Sequence, residues 1–285
     1  MSVSGTVEIA GCPLAYKVTG EGPPVVFLQG VGLHGDGWLP QTKVLRARYR
    51  CITIDNRGIG LSKPVGAALS INRMAKDTLA VMDALGMKTA GVVGHDVGGA
   101  VMQSMARLAP ERIPGLFFFD FVYPGIGARM GTPDRLNEIW YQSFHQMEMA
   151  PALLGSSREA CRLYIGHILR HWTYRKDAFD DVMDAFVDNF MQPGNLAGGF
   201  AYYRAAHAGR IAMMQGTAPV TSPIAIPACV RWAEHDPIFP FAWTDRLHET
   251  FSNLDLQMLP GVGHFPHRES PDVAAEHIAG FFSRL

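Results

Sequence analysis

The sequence lacks an excess of charge of either sign. Lysine and arginine together number 25 against 26 aspartates and glutamates, so the 285-residue chain has a net charge of −1. Nucleic-acid-binding proteins carry a basic surface, and disordered chains combine few apolar residues with high net charge. With 48% apolar residues, the chain is predicted to bury a sizeable core and to bind no nucleic acid.

Long apolar runs are also missing. No stretch reaches the roughly 18 apolar residues that a membrane-spanning helix needs. The segment from Met1 to Gly5 has no basic start followed by an apolar core, as an export signal would have. We therefore expect a soluble, cytoplasmic protein that does not associate with a membrane.

Cysteine is scarce. The four cysteines have spacings that fit neither a metal site nor a redox pair. Three of them lie in apolar runs typical of strands, so buried reduced thiols are expected and no metal is expected. They are Cys12, Cys51, Cys161 and Cys229.

Predicted strands and helices alternate along most of the chain. A hairpin is predicted over residues 6–19, with its turn at Gly11-Cys12. Short, wholly apolar runs follow, each typical of a strand buried in a parallel sheet. Helical patterns separate them, and this alternation predicts an α/β fold with a mostly parallel, doubly wound sheet.

The pattern changes after Pro124, because residues 131–214 contain no convincing strand. Helical periodicity covers roughly 134–148, 157–172, 176–191 and 196–207. An insertion between two halves of one sheet forms a cap over the edge where such sheets bind ligands. The predicted domains are a core of 1–128, a helical cap of 129–215 and the second part of the core, 216–285.

The most informative stretch is Gly94-His95-Asp96-Val97-Gly98, which joins a β-branched run to a helix of small residues. Glycines two positions before and after Asp96 allow strand and helix to pack closely at a sharp turn. The arrangement matches the nucleophile elbow G-x-S-x-G, with a carboxylate where the serine stands. The alternative is an ordinary Asp that caps the start of a helix.

A carboxylate nucleophile needs a base, and His264 follows Gly263 in the loop between the last predicted strand and the last helix. The acid that orients His264 is either Asp236 or Asp120, since both follow predicted strands. Asp236 is favoured because its Asp-Pro turn holds a loop carboxylate firmly. Of the other histidines, His95 is expected to be packed and His267 to lie on the surface.

A glycine-rich turn, Gln29-Gly30-Val31-Gly32, follows the first buried strand. Such a turn can leave backbone N–H groups directed at one point, which suits a developing oxyanion. The N–H groups of Val31 and Val97 are the candidates for this oxyanion hole.

Together these residues resemble the α/β-hydrolase superfamily over essentially the whole chain. The Asp in the elbow resembles the branch that contains epoxide hydrolases and the haloalkane and fluoroacetate dehalogenases. The resemblance implies a hydrolase without a cofactor that acts on a small, largely apolar substrate. In this branch Asp96 would attack carbon to form an alkyl ester, and water activated by His264 would hydrolyse that ester.

The resemblance also points to residues of the cap. Tyr203 stands where epoxide hydrolases carry a tyrosine that protonates the ring oxygen, and Tyr141 lies near the position of their second tyrosine. Trp140 stands where fluoroacetate dehalogenases bind halide. Against both dehalogenase groups, Val97 and Ala100 replace the tryptophan or the arginines that those enzymes have beside the nucleophile.

Other features point in different directions. Asp120 matches the acid position of the fluoroacetate group, and the Gln29-Gly30-Val31-Gly32 turn is more like that of lactonase-type hydrolases with serine. We predict hydrolysis of an epoxide to a diol. Dehalogenation by the same ester mechanism is the first alternative, and a non-catalytic binding protein on this fold is the second. Whether the chain forms a homodimer is left open.

Overall fold

The computed structural model describes residues 2–30, 34–63 and 69–285. Eight strands of this part of the chain form one sheet in the order β1-β2-β4-β3-β5-β6-β7-β8. β2 is antiparallel to both of its neighbours, and all other neighbouring strands are parallel. The predicted α/β-hydrolase fold class is confirmed. The strands are β1 Ser2–Ile9, β2 Cys12–Thr19, β3 Pro24–Leu28, β4 Arg50–Ile54, β5 Gly91–Asp96, β6 Leu116–Phe121, β7 Ala228–Ala233 and β8 Leu254–Leu259.

The predicted hairpin is formed by β1 and β2. Its turn is one residue earlier than expected, at Ala10-Gly11, with φ of 46° and 74°. Positive φ at both central residues gives the turn that matches the twist of paired strands. The hairpin forms the antiparallel edge of the sheet.

Helices cover both faces of the sheet. In β3, Val26 and Leu28 pack with α2 and α3, while Val25 and Phe27 pack with α1 and α11. Because both faces are buried, the inner strands have no polar alternation and appear in the sequence as wholly apolar runs. The helices outside the cap are α1 Leu39–Leu45, α2 Ile71–Ala84, α3 Val97–Leu108, α9 Leu247–Thr250, α10 Pro266–Glu269 and α11 Pro271–Phe282.

Five helices lie between β6 and β7 and fall within the predicted cap. They have a core of their own, into which Phe265 inserts from the loop after β8. The last of them ends at Met214 and is longer than the predicted helix, which ended at residue 207. The cap helices are α4 Leu136–Phe144, α5 Met149–Leu154, α6 Arg158–Trp172, α7 Met183–Met191 and α8 Asn195–Met214.

All four cysteines are buried and free, as predicted. Across the ranges given above, no group of three or more His, Cys, Asp or Glu side chains is arranged to hold a metal ion. Within the same described ranges, no helix combines the length and the apolar character needed to cross a membrane.

Candidate active site

Asp96 ends β5 in a strained turn that leads directly into α3. Its φ of 52° and ψ of −119° lie in a region that non-glycine residues rarely occupy. A Cβ at Gly94 would press on Met102 Sδ, and one at Gly98 would press on the carbonyl oxygen of Leu28. The Asp96 side chain makes no capping hydrogen bond to α3. Asp96 stands at the N-cap position of α3, but its strained backbone matches an elbow and differs from the extended backbone of an ordinary helix cap.

The carboxylate of Asp96 lies over Gly30, in the loop after β3. A Cβ added to Gly30 would be 2.8 Å from Asp96 Oδ2, so this glycine leaves room for the carboxylate. The next residue, Val31, lies outside the described residues, and its predicted oxyanion role stays a prediction. Val97 begins α3, where a backbone N–H has no partner within the helix, and it lines a cavity together with Asp96.

The buried His264 is paired with Asp236. Its Nδ1 lies 2.7 Å from Asp236 Oδ2. The other oxygen of Asp236 accepts hydrogen bonds from the backbone N–H groups of Ile238 and Phe239, at 2.7 and 3.0 Å. Burial opposes the charged imidazole, but the charge and hydrogen bond of Asp236, together with the charge of Asp96, raise the pKa of His264 above its usual value. With Nδ1 held by Asp236, Nε2 is the nitrogen left to activate water.

Asp120, the alternative orienting acid, lies beside Asp236 and is not paired with His264. Its Oδ1 accepts a hydrogen bond from the backbone N–H of Ala233 at 2.9 Å. Its Oδ2 has no hydrogen-bond partner of ordinary geometry among the described residues. Burial first, and then the charge and closeness of Asp236, raise the pKa of Asp120 well above its usual range. Asp120 is therefore a neighbour of the acid that pairs with the histidine, and its surroundings favour its protonated form.

The loop that carries His264 is fastened to the cap. The backbone N–H of His264 donates to the carbonyl oxygen of Trp172 at 2.8 Å. A Cβ at Gly263 would lie 2.6 Å from that same oxygen, so only glycine fits there. The buried Glu269 bridges the two segments. One of its oxygens accepts from the backbone N–H groups of Gly263 and Phe265, and the other from those of Tyr174 and Arg175.

Two further histidines lie close to His264. His95 is packed, as expected, and its Nε2 lies 2.6 Å from the carbonyl oxygen of His264. The expectation that His267 lies on the surface is wrong, because its side chain is buried and its ring stacks on Trp38 at 4.4 Å. Burial is the main cause that lowers the pKa of both His95 and His267, so both are neutral at physiological pH.

Two cavities meet at Asp96 and Tyr203. The inner cavity has a volume of about 60 Å³, which is room for a few water molecules. The outer cavity has a volume of about 310 Å³ and includes the exposed residues Ala205 and Gly209 in its wall. Besides the two shared residues, the inner cavity is lined by His145, Tyr164, Trp172, Phe200 and His264, among others. The outer cavity is lined by Val97, Ala100, Tyr141, Gln142, Tyr202 and Arg210, among others.

Tyr203 lines both cavities, and Tyr141 lines the outer one beside it. Their rings are 5.8 Å apart and nearly perpendicular. Burial first, and then neighbouring groups that include Asp96, raise the pKa of both tyrosines. Their hydroxyl groups are therefore protonated and can donate hydrogen bonds.

The expectation for Trp140 must be corrected. Its side chain is 39% exposed, and it lines neither the inner nor the outer cavity. Its ring contacts Phe144, Tyr164 and His167 on the outside of the cap. Trp140 is not placed to contact a leaving group at Asp96.

Four cavity residues were missed from the sequence. Trp172 brings an indole ring to within 5.3 Å of the His264 ring, between ring centroids. His145 stacks on Phe200 at 4.0 Å, and burial lowers the pKa of His145 to about 3. Tyr202 and Arg210 line the outer cavity. A usable signal existed for Arg210, since it follows Tyr203 by seven residues and so returns to the same helix face.

Known proteins with related sequences include epoxide hydrolases. Epoxide hydrolase 1 of Caenorhabditis elegans is 26% identical over 98% of this chain and 70% of that protein. The soluble epoxide hydrolase of a Corynebacterium species is 26% identical over 97% of this chain and 96% of its own. A shorter match covers 36% of this chain and 39% of an Azorhizobium caulinodans protein provisionally named a carbamate hydrolase, at 38% identity.

Solved structures give the same fold. The epoxide hydrolase CorEH superposes with a TM-score of 0.86 at 24% identity, and the match covers 100% of this chain and 99% of that one. At this identity the likeness bears on the fold alone. The family model described as alpha/beta hydrolase fold matches residues 23–271. The chain therefore belongs to the α/β-hydrolase fold family.

Proposed function

We propose that the protein hydrolyses an epoxide to a diol through an ester of Asp96. The observation that carries this proposal is the meeting of a carboxylate at the elbow, protonated tyrosines and a paired His264 around one pair of cavities. Ester-forming attack needs the carboxylate, ring opening needs a proton donor, and ester hydrolysis needs a base. The epoxide hydrolases among the full-length relatives give this choice independent support.

The first step forms the ester. An oxygen of Asp96 attacks a ring carbon, the C–O bond to the ring oxygen breaks, and that oxygen takes a proton from Tyr203 or Tyr141. An alkoxide is a stronger base than a phenolate, so the proton transfer is downhill even from a buried tyrosine. The phenolate then takes a proton back from solvent. A neutral hydroxyl group that lies at the ring oxygen also lowers the barrier by hydrogen bonding to the developing charge.

The second step hydrolyses the ester. His264 takes a proton from a water molecule in the inner cavity, and the hydroxide attacks the carbonyl carbon of the Asp96 ester. The N–H of Val97, and that of Val31 if it faces the same point, stabilise the tetrahedral oxyanion. The ester C–O bond at the carbonyl then breaks, and the diol alkoxide takes the proton from His264. The oxygen of the water remains on Asp96, whose carboxylic acid then releases its proton to solvent, and the former Asp96 oxygen leaves in the diol.

Dehalogenation by the same ester is the alternative outcome to be tested. Trp140 lines neither cavity and so does not support this alternative. The indole ring of Trp172, in the inner cavity, is the remaining candidate for binding halide. A haloacid would place its carboxylate next to that of Asp96, and among the described lining residues the arginine that could offset this repulsion, Arg210, lines only the outer cavity.

A His264→Gln variant separates these outcomes, because it blocks the second step and accumulates the first product. After mixing with styrene oxide, intact-protein mass is expected to rise by the whole mass of the epoxide. With the matched phenylethyl bromide, a mass increase equal to the mass of the bromide minus that of hydrogen bromide would instead assign the protein to the dehalogenases. The Asp96→Asn, His264→Gln double variant is the control and should form neither adduct.

A second measurement does not depend on the variant. During a single turnover in labelled water, the wild-type protein should gain one labelled oxygen in Asp96, and the first diol should contain none. Label in the first diol would overturn the ester mechanism. The absence of both adducts, together with no turnover of epoxides or halides by the wild-type protein, would favour a non-catalytic binding protein.

A further inference from the structure

The outer cavity has a charged group that the proposed reaction does not use. Arg210 lines the cavity with Asp96, Tyr141 and the two tyrosines of α8. Its guanidinium group contacts Nδ1 of His207 at 3.3 Å. Among the residues that the structure describes, no carboxylate forms an ion pair with it. Burial lowers the pKa of Arg210, although an arginine remains charged in proteins.

Most partly buried arginines in this protein have an acid partner. The most buried, Arg57, pairs with Asp77, and Arg231 pairs with Asp255. A cation that has lost part of its water shell without gaining a carboxylate lowers the stability of the fold. An anionic ligand that supplies the missing carboxylate is therefore bound favourably at Arg210.

Helix geometry places Arg210 on the same face of α8 as Tyr203. The two residues are seven apart, which is two turns and about 10 Å along the helix axis, and Tyr141, Tyr202 and Tyr203 lie near enough to act on the pKa of Arg210. Between them, Ala206 and Gly209 line the cavity with side chains too small to fill it. A Cβ at Gly209 would meet nothing within 4 Å. The space between Tyr203 and Arg210 is thus an open groove.

The wall of the outer cavity carries both signs of charge. It includes the carboxylate of Asp96, beside the apolar side chains of Val97 and Ala100, and the guanidinium group of Arg210. A ligand carboxylate is repelled by Asp96 and attracted by Arg210. The cavity therefore orients an anionic substrate with its charged end at Arg210 and away from Asp96.

We propose that the preferred substrate is an epoxide that also carries a carboxylate, and that Arg210 binds this carboxylate in the outer cavity. This inference rests on the proposed epoxide hydrolysis and narrows its substrate class to epoxy acids. Arg210 acts in binding and does not touch the reacting atoms. The guanidinium group can bind a carboxylate through two parallel N–H donors, which sets the position of the ring at Asp96 as well as the affinity.

The test compares a straight-chain epoxy acid with its primary amide. The wild-type protein should have a KM for the acid about tenfold below that for the amide, and the difference should shrink as salt is added. Arg210→Gln should raise the KM for the acid about tenfold and leave its kcat and the KM for the amide nearly unchanged. Arg204→Gln removes a positive charge from the same helix outside the outer cavity, and it should change neither KM.

Binding of the saturated acid, which has no epoxide ring, separates this inference from the proposed reaction. Calorimetry should show tighter binding of this acid than of its amide, and Arg210→Gln should remove the difference. If that holds while no epoxide is opened, the proposed reaction is wrong and the carboxylate site stands. Equal KM values for acid and amide in an active wild-type enzyme, or equal effects of Arg210→Gln on both, would overturn the inference.

Discussion

Nδ1 of His264 lies 2.7 Å from Oδ2 of Asp236, and both side chains are almost completely shielded from solvent. The contact joins a loop after β7 to a loop after β8, so two neighbouring strands hold the acid and the base together. Since the imidazole cannot turn away without breaking a buried charge-assisted hydrogen bond, its other nitrogen keeps one direction.

Replacement of the two neighbouring acids should have unequal effects. Asp236→Asn cannot accept the Nδ1 proton in the same way, and we expect hydrolysis of the ester to slow by about 10² to 10⁴. Asp120→Asn keeps an oxygen for the N–H of Ala233 and presents an amide N–H toward Asp236, so we expect a change below about fivefold. Stopped-flow rates of ester formation and decay would measure both. A larger loss in Asp120→Asn than in Asp236→Asn would contradict the pairing of His264 with Asp236 as the one that matters for ester hydrolysis.

The acid limb of the pH profile should come from His264. The base must be neutral, so ester hydrolysis is lost as the pH falls through the pKa of His264. Asp236 and Asp96 raise that pKa against the effect of burial, and we expect the midpoint above 6.5, the ordinary value for histidine. Single-turnover rates between about pH 5 and 9 would show it. A midpoint below 6.5 would mean that burial outweighs the two carboxylates.

The raised pKa of His264 has the opposite pH dependence in its effect on the stability of the fold. The folded protein binds the His264 proton more tightly than the unfolded chain, so this pair stabilises the fold fully below about pH 6.5. That contribution is lost as the pH rises through the higher pKa of the folded state. The His264→Gln variant should therefore lose less stability, relative to the wild-type protein, at high pH than at low pH in urea titrations.

Removal of the tyrosine hydroxyl groups tests the ring-opening step. Tyr203→Phe and Tyr141→Phe should each slow ester formation from an epoxide by about 10-fold to 10²-fold, and the double variant should lose more than either. Ester hydrolysis should change little in all three. Tyr164→Phe is the matched control, because it removes a partly buried hydroxyl group of the inner cavity that lies within hydrogen-bond distance of His145 Nε2. Unchanged ester formation in the double variant would remove the tyrosines from the mechanism.

Glu269 should affect both stability and the second step. Its two oxygens accept hydrogen bonds from four backbone N–H groups, and a glutamine would turn an N–H₂ group toward two of those donors. We expect Glu269→Gln to lower the free energy of unfolding by about 1–3 kcal/mol and to slow ester hydrolysis more than ester formation. Urea titration and stopped-flow kinetics measure the two effects. The exposed Glu276→Gln should show neither, and equal slowing of both steps would argue for a general loss of structure.

The sharp turn at Asp96 and the place of His264 in the fold were predictable because close packing at the turn requires particular residues in the sequence. A sharp turn that presses a strand on a helix requires glycines at fixed positions, and Gly94 and Gly98 show that requirement in the sequence. The order of nucleophile and histidine along the chain then follows from the fold. The choice between Asp236 and Asp120 could not follow in the same way. β6 and β7 are neighbours, so both acids reach the same edge of the sheet.

The cap was harder to predict. Trp140 and Tyr141 are adjacent, and adjacent residues of a helix point about 100° apart, so a shift of one position decides which ring enters the cavity. Both sides of α4 carry aromatic residues, and the sequence therefore does not show which side of the helix faces the cavity. Gly209 weakens the helical pattern by about 1 kcal/mol relative to alanine, and the predicted helix ended before it. Arg210 was therefore not assigned to α8.

The four backbone N–H groups that donate to Glu269 have a consequence for protein engineering. A cap grafted from a relative would bring its own polypeptide after α6, and with it a new pair of amide groups facing this carboxylate. The loop that carries the imidazole would then have different contacts with the cap, although no residue of the α/β core had been replaced. Chimaeras that exchange the cap to alter substrate range should therefore keep residues 172–175 from the host enzyme.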